Sequence, residues 1–320
     1  MLSSRSVLAF VVIALSAQAA PLAPLSDADA AAYAKATALP DVTGATFSGV
    51  SVARDLTYAR YGETTLALDL YLPADRAKPV PCVVVIAGGG FVAQDASRFA
   101  APAAYLASRG FAAACIAYRG TPKDTFVATL HDTKAAVRWI RAHAAQYGLA
   151  PEKIGAIGQS AGAHLVTMLA VSGGVPEFEG ASGNPGYSSR IQAAVALSGV
   201  FDFISRLKEG GHEKRALAEK RRTNGAWVGA TFSETSEEWK RASTTSYITP
   251  DDAPVLFIHC RGDVVAPLPQ SEQMYAALKP ASPRSRLILY EGGGHNVLRA
   301  AGINAKMWEE AIAFLTAELK

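Results

Sequence analysis

The stretch GAIGQSAGAHL (residues 155–165) sets Ser160 between two glycines, Gly158 and Gly162, directly after one apolar run and directly before another. Gly and Ser are frequent in this chain, so G-x-S-x-G alone carries little weight and its setting has to decide. IGAIG (154–158) reads as a buried strand, and the Ala/Leu-rich residues after Ser160 read as a helix. Glycines beside the serine permit a sharp strand-to-helix turn, which lifts a hydroxyl above the sheet and aims helix N-terminal N–H groups at developing negative charge. The competing reading is an ordinary turn serine.

Further apolar runs of strand length occur at CVVVIA (82–87), FAAACIAY (111–118), AAVALSG (193–199), PVLFIHC (254–260) and RLILY (286–290). Strands this apolar throughout are those buried on both faces, as in a parallel sheet covered by helices. Helical segments are expected between them near 97–109, 124–147, 160–171, 269–279 and 302–319. The clearest is 124–147, where Val127, Leu130, Val137, Ile140, Ala144 and Tyr147 line one face and Gly148 stops the helix. TTLALDLYLP (64–73) alternates instead, with Leu66, Leu68, Leu70 and Leu72 on one face, and predicts a half-buried antiparallel strand near the sheet edge. The pattern predicts an α/β fold: a mostly parallel, doubly wound sheet with helices on both faces. Its ligands are expected beyond the carboxyl ends of the strands. Residues 203–249 break the rhythm. They are polar, carry Trp227, Phe232 and Trp239, and predict a small helical cap over the strand ends, whose aromatics either pack or touch substrate.

A serine hydroxyl is a weak nucleophile without a base, and the base needs an orienting acid. After PVLFIHC comes RGDVVAP, with Asp263 in the loop; after RLILY comes EGGGHNVL, with His295 in a Gly-rich loop. All three candidates therefore fall at one edge of the expected sheet, in the order Ser, Asp, His. Rivals are less well placed: Asp251 and Asp252 precede their strand, His259 lies within one, and His212 falls in the insertion. Donors for a tetrahedral oxyanion are offered by AGGGF (87–91), whose Gly88, Gly89 and Gly90 let backbone N–H groups approach a ligand closely. That loop lacks the Lys of a P-loop and the spacing of a dinucleotide fingerprint.

The chain has 320 residues, of which 50% are hydrophobic and 18% charged, as suits one sizeable α/β domain. Its opening, MLSSRSVLAFVVIALSAQAA, has the basic Arg5, an apolar run from Val7 to Leu15, and Ala17 and Ala19 before an A-x-A cut. That is the pattern of a signal peptide over residues 1–20, predicting a secreted or periplasmic protein with no membrane attachment after cleavage. Residues 21–50 read as an N-terminal lead-in and 51–320 as the domain. A net charge of +3, with the basic cluster EKRALAEKRR interleaved like a solvated helix face, predicts no nucleic-acid partner. Cys82, Cys115 and Cys260 all fall in apolar runs. Buried free thiols are the expectation, a Cys82–Cys115 disulfide the alternative.

Together these segments resemble the α/β-hydrolase superfamily, and within it the carbohydrate acetyl and feruloyl esterases related to hormone-sensitive-lipase-like carboxylesterases. The resemblance runs from about residue 55 to 319. It rests on AGGGF, HDTKAAVRWIRAHAAQYGLAPEKIGAIGQSAGAHL, EGASGNPGYSSRIQAAV, HCRGDVVAPLPQSEQMYAAL and EGGGHNVL. It implies Ser160 as nucleophile, Asp263 as acid and His295 as base, with oxyanion N–H groups from Gly89, Gly90 and Ala161. It implies no metal or organic cofactor. The implied substrate is a small ester or an acetylated or feruloylated carbohydrate. Two positions depart from the family pattern: Ala87 stands where a His is usual, and Ala163 where a second Gly is usual. A looser glycine loop or a reshaped leaving-group side is the expected consequence of Ala87. Two other functions fit the same features. A peptidase of the prolyl-oligopeptidase type shares the triad order but normally carries a large propeller, and a non-catalytic binding protein on this fold would normally have lost a triad residue.

Overall fold

Residues 21–208 and 214–320 are described by a computed structural model. The expected signal peptide (1–20) and His212 lie outside the described residues. Among the described residues, nine strands form one sheet: β1 (Ala23–Pro24), β2 (Ser51–Tyr61), β3 (Thr64–Leu72), β4 (Val80–Ile86), β5 (Ala112–Ile116), β6 (Leu149–Gln159), β7 (Ala193–Leu197), β8 (Val255–Cys260) and β9 (Arg286–Tyr290). Their order is β1-β2-β3-β5-β4-β6-β7-β8-β9. Pairing is antiparallel from β1 to β5 and parallel from β5 onward. The chain steps from β4 outward to β5 and then back across to β6 on the other side. The strand order therefore reverses at β4, and a crevice opens beyond the carboxyl ends of β4 and β6.

The helices are α1 (Asp27–Thr37), α2 (Ala100–Ser108), α3 (Phe126–Ala142), α4 (Ala144–Tyr147), α5 (Ala161–Val171), α6 (Pro176–Glu179), α7 (Phe203–Lys208), α8 (Lys214–Val228), α9 (Glu237–Arg241), α10 (Pro269–Leu278) and α11 (Asn304–Leu319). They cover both faces, as the continuous apolar strands require. One core packs Val84 of β4 with Leu165 of α5, Val137 of α3 and Trp227 of α8. The other packs Val83 of β4 with Ala103 of α2, Trp308 of α11 and Ala30 of α1. The expected doubly wound α/β-hydrolase architecture is what the chain forms. The helix expected over 124–147 is α3 followed by α4, and it stops where Gly148 takes the left-handed conformation (φ 68°).

Three expectations are corrected. The alternating strand is β3; it is antiparallel as expected, but third from the edge, because β2 and β1 flank it. The strand is also more than half-buried, since Asp69 on the face opposite the leucines is buried as well. Asp69 accepts hydrogen bonds from Asp55 N (3.0 Å) and Arg54 Nη1 (3.4 Å). Conversely β9 is the edge strand and only half-buried, since apolar runs alone do not tell a central strand from the last one. Residues 21–50 are more than a lead-in to the sheet, since β1 pairs with β2 and α1 packs on α2.

The thiols of Cys82, Cys115 and Cys260 are buried and free. Cys82 stands opposite Ala112 and Cys115 opposite Val85. The two thiols are three residues out of register, about 10 Å along the strands, and on opposite faces of the sheet. No disulfide spans that separation. Among the described residues, no helix is long and apolar enough to cross a membrane.

Candidate active site

Ser160 sits in the turn between β6 and α5 with φ 57° and ψ −119°, a conformation that L-residues rarely adopt. Packing imposes it. A Cβ on Gly162 would collide with the carbonyl oxygen of Ile86 at the end of β4, and one on Gly158 with the carbonyl of Gly162. Both glycines of the motif are therefore required by close backbone approach, and the serine between them is held by Ser160 N donating to Leu197 O (2.8 Å). The usual second glycine is replaced by Ala163 without a clash. Its methyl group faces Gly199, where a side chain is missing.

The loops after β8 and β9 bring Asp263 and His295 to this turn. Ser160 Oγ lies 2.9 Å from His295 Nε2, and His295 Nδ1 lies 2.8 Å from Asp263 Oδ2. A carboxylate accepts only, so Nδ1 carries the proton and Nε2 presents its lone pair to the serine hydroxyl. Asp263 Oδ1 accepts from the N–H groups of Val265 (2.8 Å) and Ala266 (2.9 Å). Burial opposes ionisation of Asp263, but hydrogen bonds from His259, His295 and the Ala266 N–H outweigh it and hold the carboxyl well below its usual range.

The glycine loop follows β4. Gly89 (φ 142°) and Gly90 (φ 64°) adopt conformations open to glycine. Their N–H groups take part in no backbone hydrogen bond among the described residues, and that of Ala161 starts α5, where helical N–H groups have no partner within the helix. All three residues line the cleft beside Ser160. The loop that begins at Ala87 is tied at several points. The Ala87 carbonyl accepts from Tyr118 Oη (2.8 Å), and the loop is tied across by Gln94 N to Tyr118 O (3.0 Å) and Thr121 N to Phe91 O (3.0 Å). Phe91 in turn stacks on Trp227 (centroids 3.9 Å apart).

The cleft has a volume of about 780 Å³. Neither Trp227, Phe232 nor Trp239 lines it. Trp227 and Trp239 are fully buried, and their indole N–H groups donate to Thr129 Oγ1 (3.0 Å) and Thr231 O (3.1 Å). The cap aromatics therefore pack, while polar residues of α7 and α8 face the cleft: Arg206, Lys220, Thr223 and Asn224. Among the described residues, no cluster of His, Cys, Asp and Glu is arranged to hold a metal.

Two supporting residues escaped the sequence reading. Gln159, the residue before the serine, donates from Nε2 to the His295 carbonyl (2.9 Å) and so ties the elbow to the histidine loop. His259, set aside because it lies within a strand, stands behind Asp263. Its Nε2 is 3.0 Å from Ala266 O and 3.3 Å from Asp263 Oδ2, and its Nδ1 is 2.7 Å from Ser271 Oγ. The Ala266 carbonyl can only accept, so Nε2 carries the proton and braces the same carboxylate oxygen, Oδ2, that His295 engages. Of the remaining rivals, Asp251 pairs with Arg190 (2.8 Å) and Asp252 accepts from Thr249 N (2.8 Å), both remote from the cleft lining.

The family profile BD-FAE matches residues 68–278. Among curated relatives, the probable carboxylic ester hydrolase LipM of Mycobacterium tuberculosis is 29% identical over 219 residues, 65% of this chain and 47% of its own. The probable isoprenylcysteine alpha-carbonyl methylesterase ICME of Oryza sativa subsp. japonica is 29% identical over 230 residues, 71% of this chain and 54% of its own. The chain thus spans about half the length of the curated relatives it matches. Among solved structures, a truncated carbohydrate esterase from gut microbiota superposes with a TM-score of 0.73 at 25% identity, covering 83% of this chain and 95% of that one. The esterase Est2 of Thermogutta terrifontis gives 0.68 at 27% identity, covering 85% and 93%.

Proposed function

Because the chain belongs to the BD-FAE family, we propose that it is a serine carboxylesterase. The observation that carries this reading is the unbroken hydrogen-bonded line from Ser160 Oγ through His295 to Asp263, at 2.9 and 2.8 Å, on a turn that packing forces into a strained conformation. Ser160 attacks the ester carbonyl as His295 Nε2 takes its proton. The oxyanion that develops meets the N–H groups of Gly89, Gly90 and Ala161. Collapse expels the alcohol, which takes the proton from His295, and leaves an acyl group on Ser160. Water, deprotonated by His295, then attacks the acyl-enzyme and releases the acid. Asp263 holds the imidazole in the tautomer that both steps need.

The substrate we propose is an acetylated or feruloylated plant polysaccharide fragment, met outside the cytoplasm after removal of residues 1–20. Support comes from the sequence resemblance, the leader pattern, and a neighbour described as a carbohydrate esterase. The test measures acetate and ferulate released from acetylated xylan, acetylated pectin and feruloylated arabinoxylan, beside p-nitrophenyl acetate, by the wild type and Ser160→Ala. Ser160-dependent release from a polymer is expected. Cleavage of the small ester alone removes the polysaccharide substrate, and hydrolysis that survives Ser160→Ala removes the mechanism.

A further inference from the structure

The cleft at Ser160 is not closed at its outer end. Four of the residues that line it, Arg98, Phe99, Gln159 and Asn296, also line a second hollow of about 340 Å³. That hollow shares Ala36 and Arg299 with a third, of about 460 Å³. The three form one track that leaves the catalytic serine, passes Phe99 and ends on the exposed face of α1. One wall is the chain that continues from His295 through Asn296 and Leu298 to Arg299; the other is residues 98–102, which lead into α2. Residues 21–50 thus supply the far end of a surface that starts at Ser160. Asn304 Nδ2, donating to Ala38 O (2.6 Å), fixes the end of α1 against the start of α11.

A small ester has no use for this length. The cleft beside Ser160, at about 780 Å³, already has the size of a complete small-molecule site, roughly 300–1,000 Å³. The outer hollows also offer a particular chemistry. Lys35, Arg98 and Arg299 are exposed there, and among the described residues no acidic side chain joins them in the lining. Their N–H groups only donate, so they suit a partner rich in hydroxyl and ether oxygens, while the half-buried Phe99 ring offers an apolar floor. A chain of sugar rings has both surfaces, an oxygen-bearing rim and apolar C–H faces. An alkyl tail offers the donors nothing.

We propose that this track is a polymer-binding groove, in which the sugar units next to the esterified one lie along residues 98–102, Arg299 and α1. The inference rests on the polysaccharide-esterase reading and sharpens it: the substrate is a chain of several sugar units rather than the ester of a mono- or disaccharide, and the N-terminal segment helps to select it. Because the groove lies away from the reacting atoms, its contacts are alike in ground and transition states and act on KM rather than kcat.

The test uses the purified protein, its active sites counted with a fluorophosphonate, and acetylated and feruloylated xylo-oligosaccharides of two and six sugar units. In at least one ester series the six-unit member is expected to be favoured in kcat/KM per ester by roughly fivefold or more, through KM. The readout is the ratio of long to short substrate. Ala36 and Arg299 line both outer hollows but not the cleft itself, and both are exposed, so their variants should fold. Ala36→Tyr, which fills the junction of the hollows, should abolish most of the gain, and Arg299→Gln, which removes donors, should reduce it. Lys78→Gln, which removes the same charge ahead of β4 at the opposite end of that strand, should retain it. Equal kcat/KM at both lengths, or a gain that survives both groove variants, overturns the groove and leaves the esterase reading standing. A preference for p-nitrophenyl decanoate over the acetate that Ala36→Tyr abolishes, with no gain from oligosaccharide length, assigns the track to an acyl tail and overturns the sugar chain as its occupant. Hydrolysis of p-nitrophenyl acetate with neither oligosaccharide series cleaved removes the polysaccharide reading and the groove with it. No hydrolysis of any ester, with Ser160 unlabelled, removes the esterase reading as well.

Discussion

Gly162 and Ala163 stand side by side at the start of α5 and answer to opposite constraints. A methyl group at 162 would meet the backbone of β4, which cannot yield without moving Ser160. Gly162→Ala is therefore expected to destabilise the fold by about 3 kcal/mol, the upper end of ordinary overpacking, and to lower activity further; an unchanged melting curve would contradict this. At Asp263 the expectation is catalytic. Asp263→Asn leaves the shape but disturbs the imidazole tautomer, and should lower kcat by about 10⁴-fold. It should also alter the acid stability profile. Asp263 is held below its unfolded value of about 3.9, so its charge stabilises the fold fully above that pH, and the contribution is lost as pH falls through the folded value. The stability gap between wild type and Asp263→Asn should hold steady near neutrality and narrow below about pH 4. At this scale the sequence was informative where a residue lies in the turn or loop that follows an apolar strand, as Ser160, Asp263 and His295 all do. It was silent on Gln159, whose partner lies 136 residues away, and on Arg206, whose burial no local pattern announces.

Among the elements, α3 departs most from its pattern. Its apolar face was legible from spacing, but Lys134 and Arg138, one turn apart, are also buried, each with 1% of its side chain exposed. Glu179 on α6 meets both, at 2.7 Å from Lys134 Nζ and 3.0 Å from Arg138 Nη1. Carbonyls of Ser172, Ser182 and Gly183 take further donors. Such an arrangement cannot be read locally, because its acceptors arrive from residues about forty positions on. Glu179→Ala leaves two buried cations without their anion and should cost about 3 kcal/mol, measured by urea denaturation. A loss under about 0.5 kcal/mol would mean that the carbonyls alone suffice. The cap was similarly half-legible. Its helices were expected, but Trp227 and Trp239 turned inward because Phe91, Phe203 and Phe232 offered rings to pack against, and the cleft was left to the polar side of α8.

For the whole molecule, the alternation of apolar strands and helices was enough to predict the architecture, since only a sheet covered on both faces buries every residue of β7 and all but the first of β4. The order of the strands was not predictable, because the outer position of β9 depends on what fails to pair beyond it. The two cores on either side of the sheet keep Cys82 and Cys115 apart, and burial raises the Cys82 thiol to about 12. Reductant is therefore expected to leave the melting temperature unchanged, and all three thiols should label only on unfolding. The half-buried edge strand has a further consequence. Ser160 hangs from β6, paired on both sides, whereas His295 hangs from β9, which among the described residues pairs only to β8. Under gentle denaturant the rim of the sheet should fray first, exchanging its amide hydrogens early. The ester hydrolysis proposed for Ser160 should then be lost while the circular dichroism is still native, so that the durability of turnover is set at the margin of the sheet rather than at its centre.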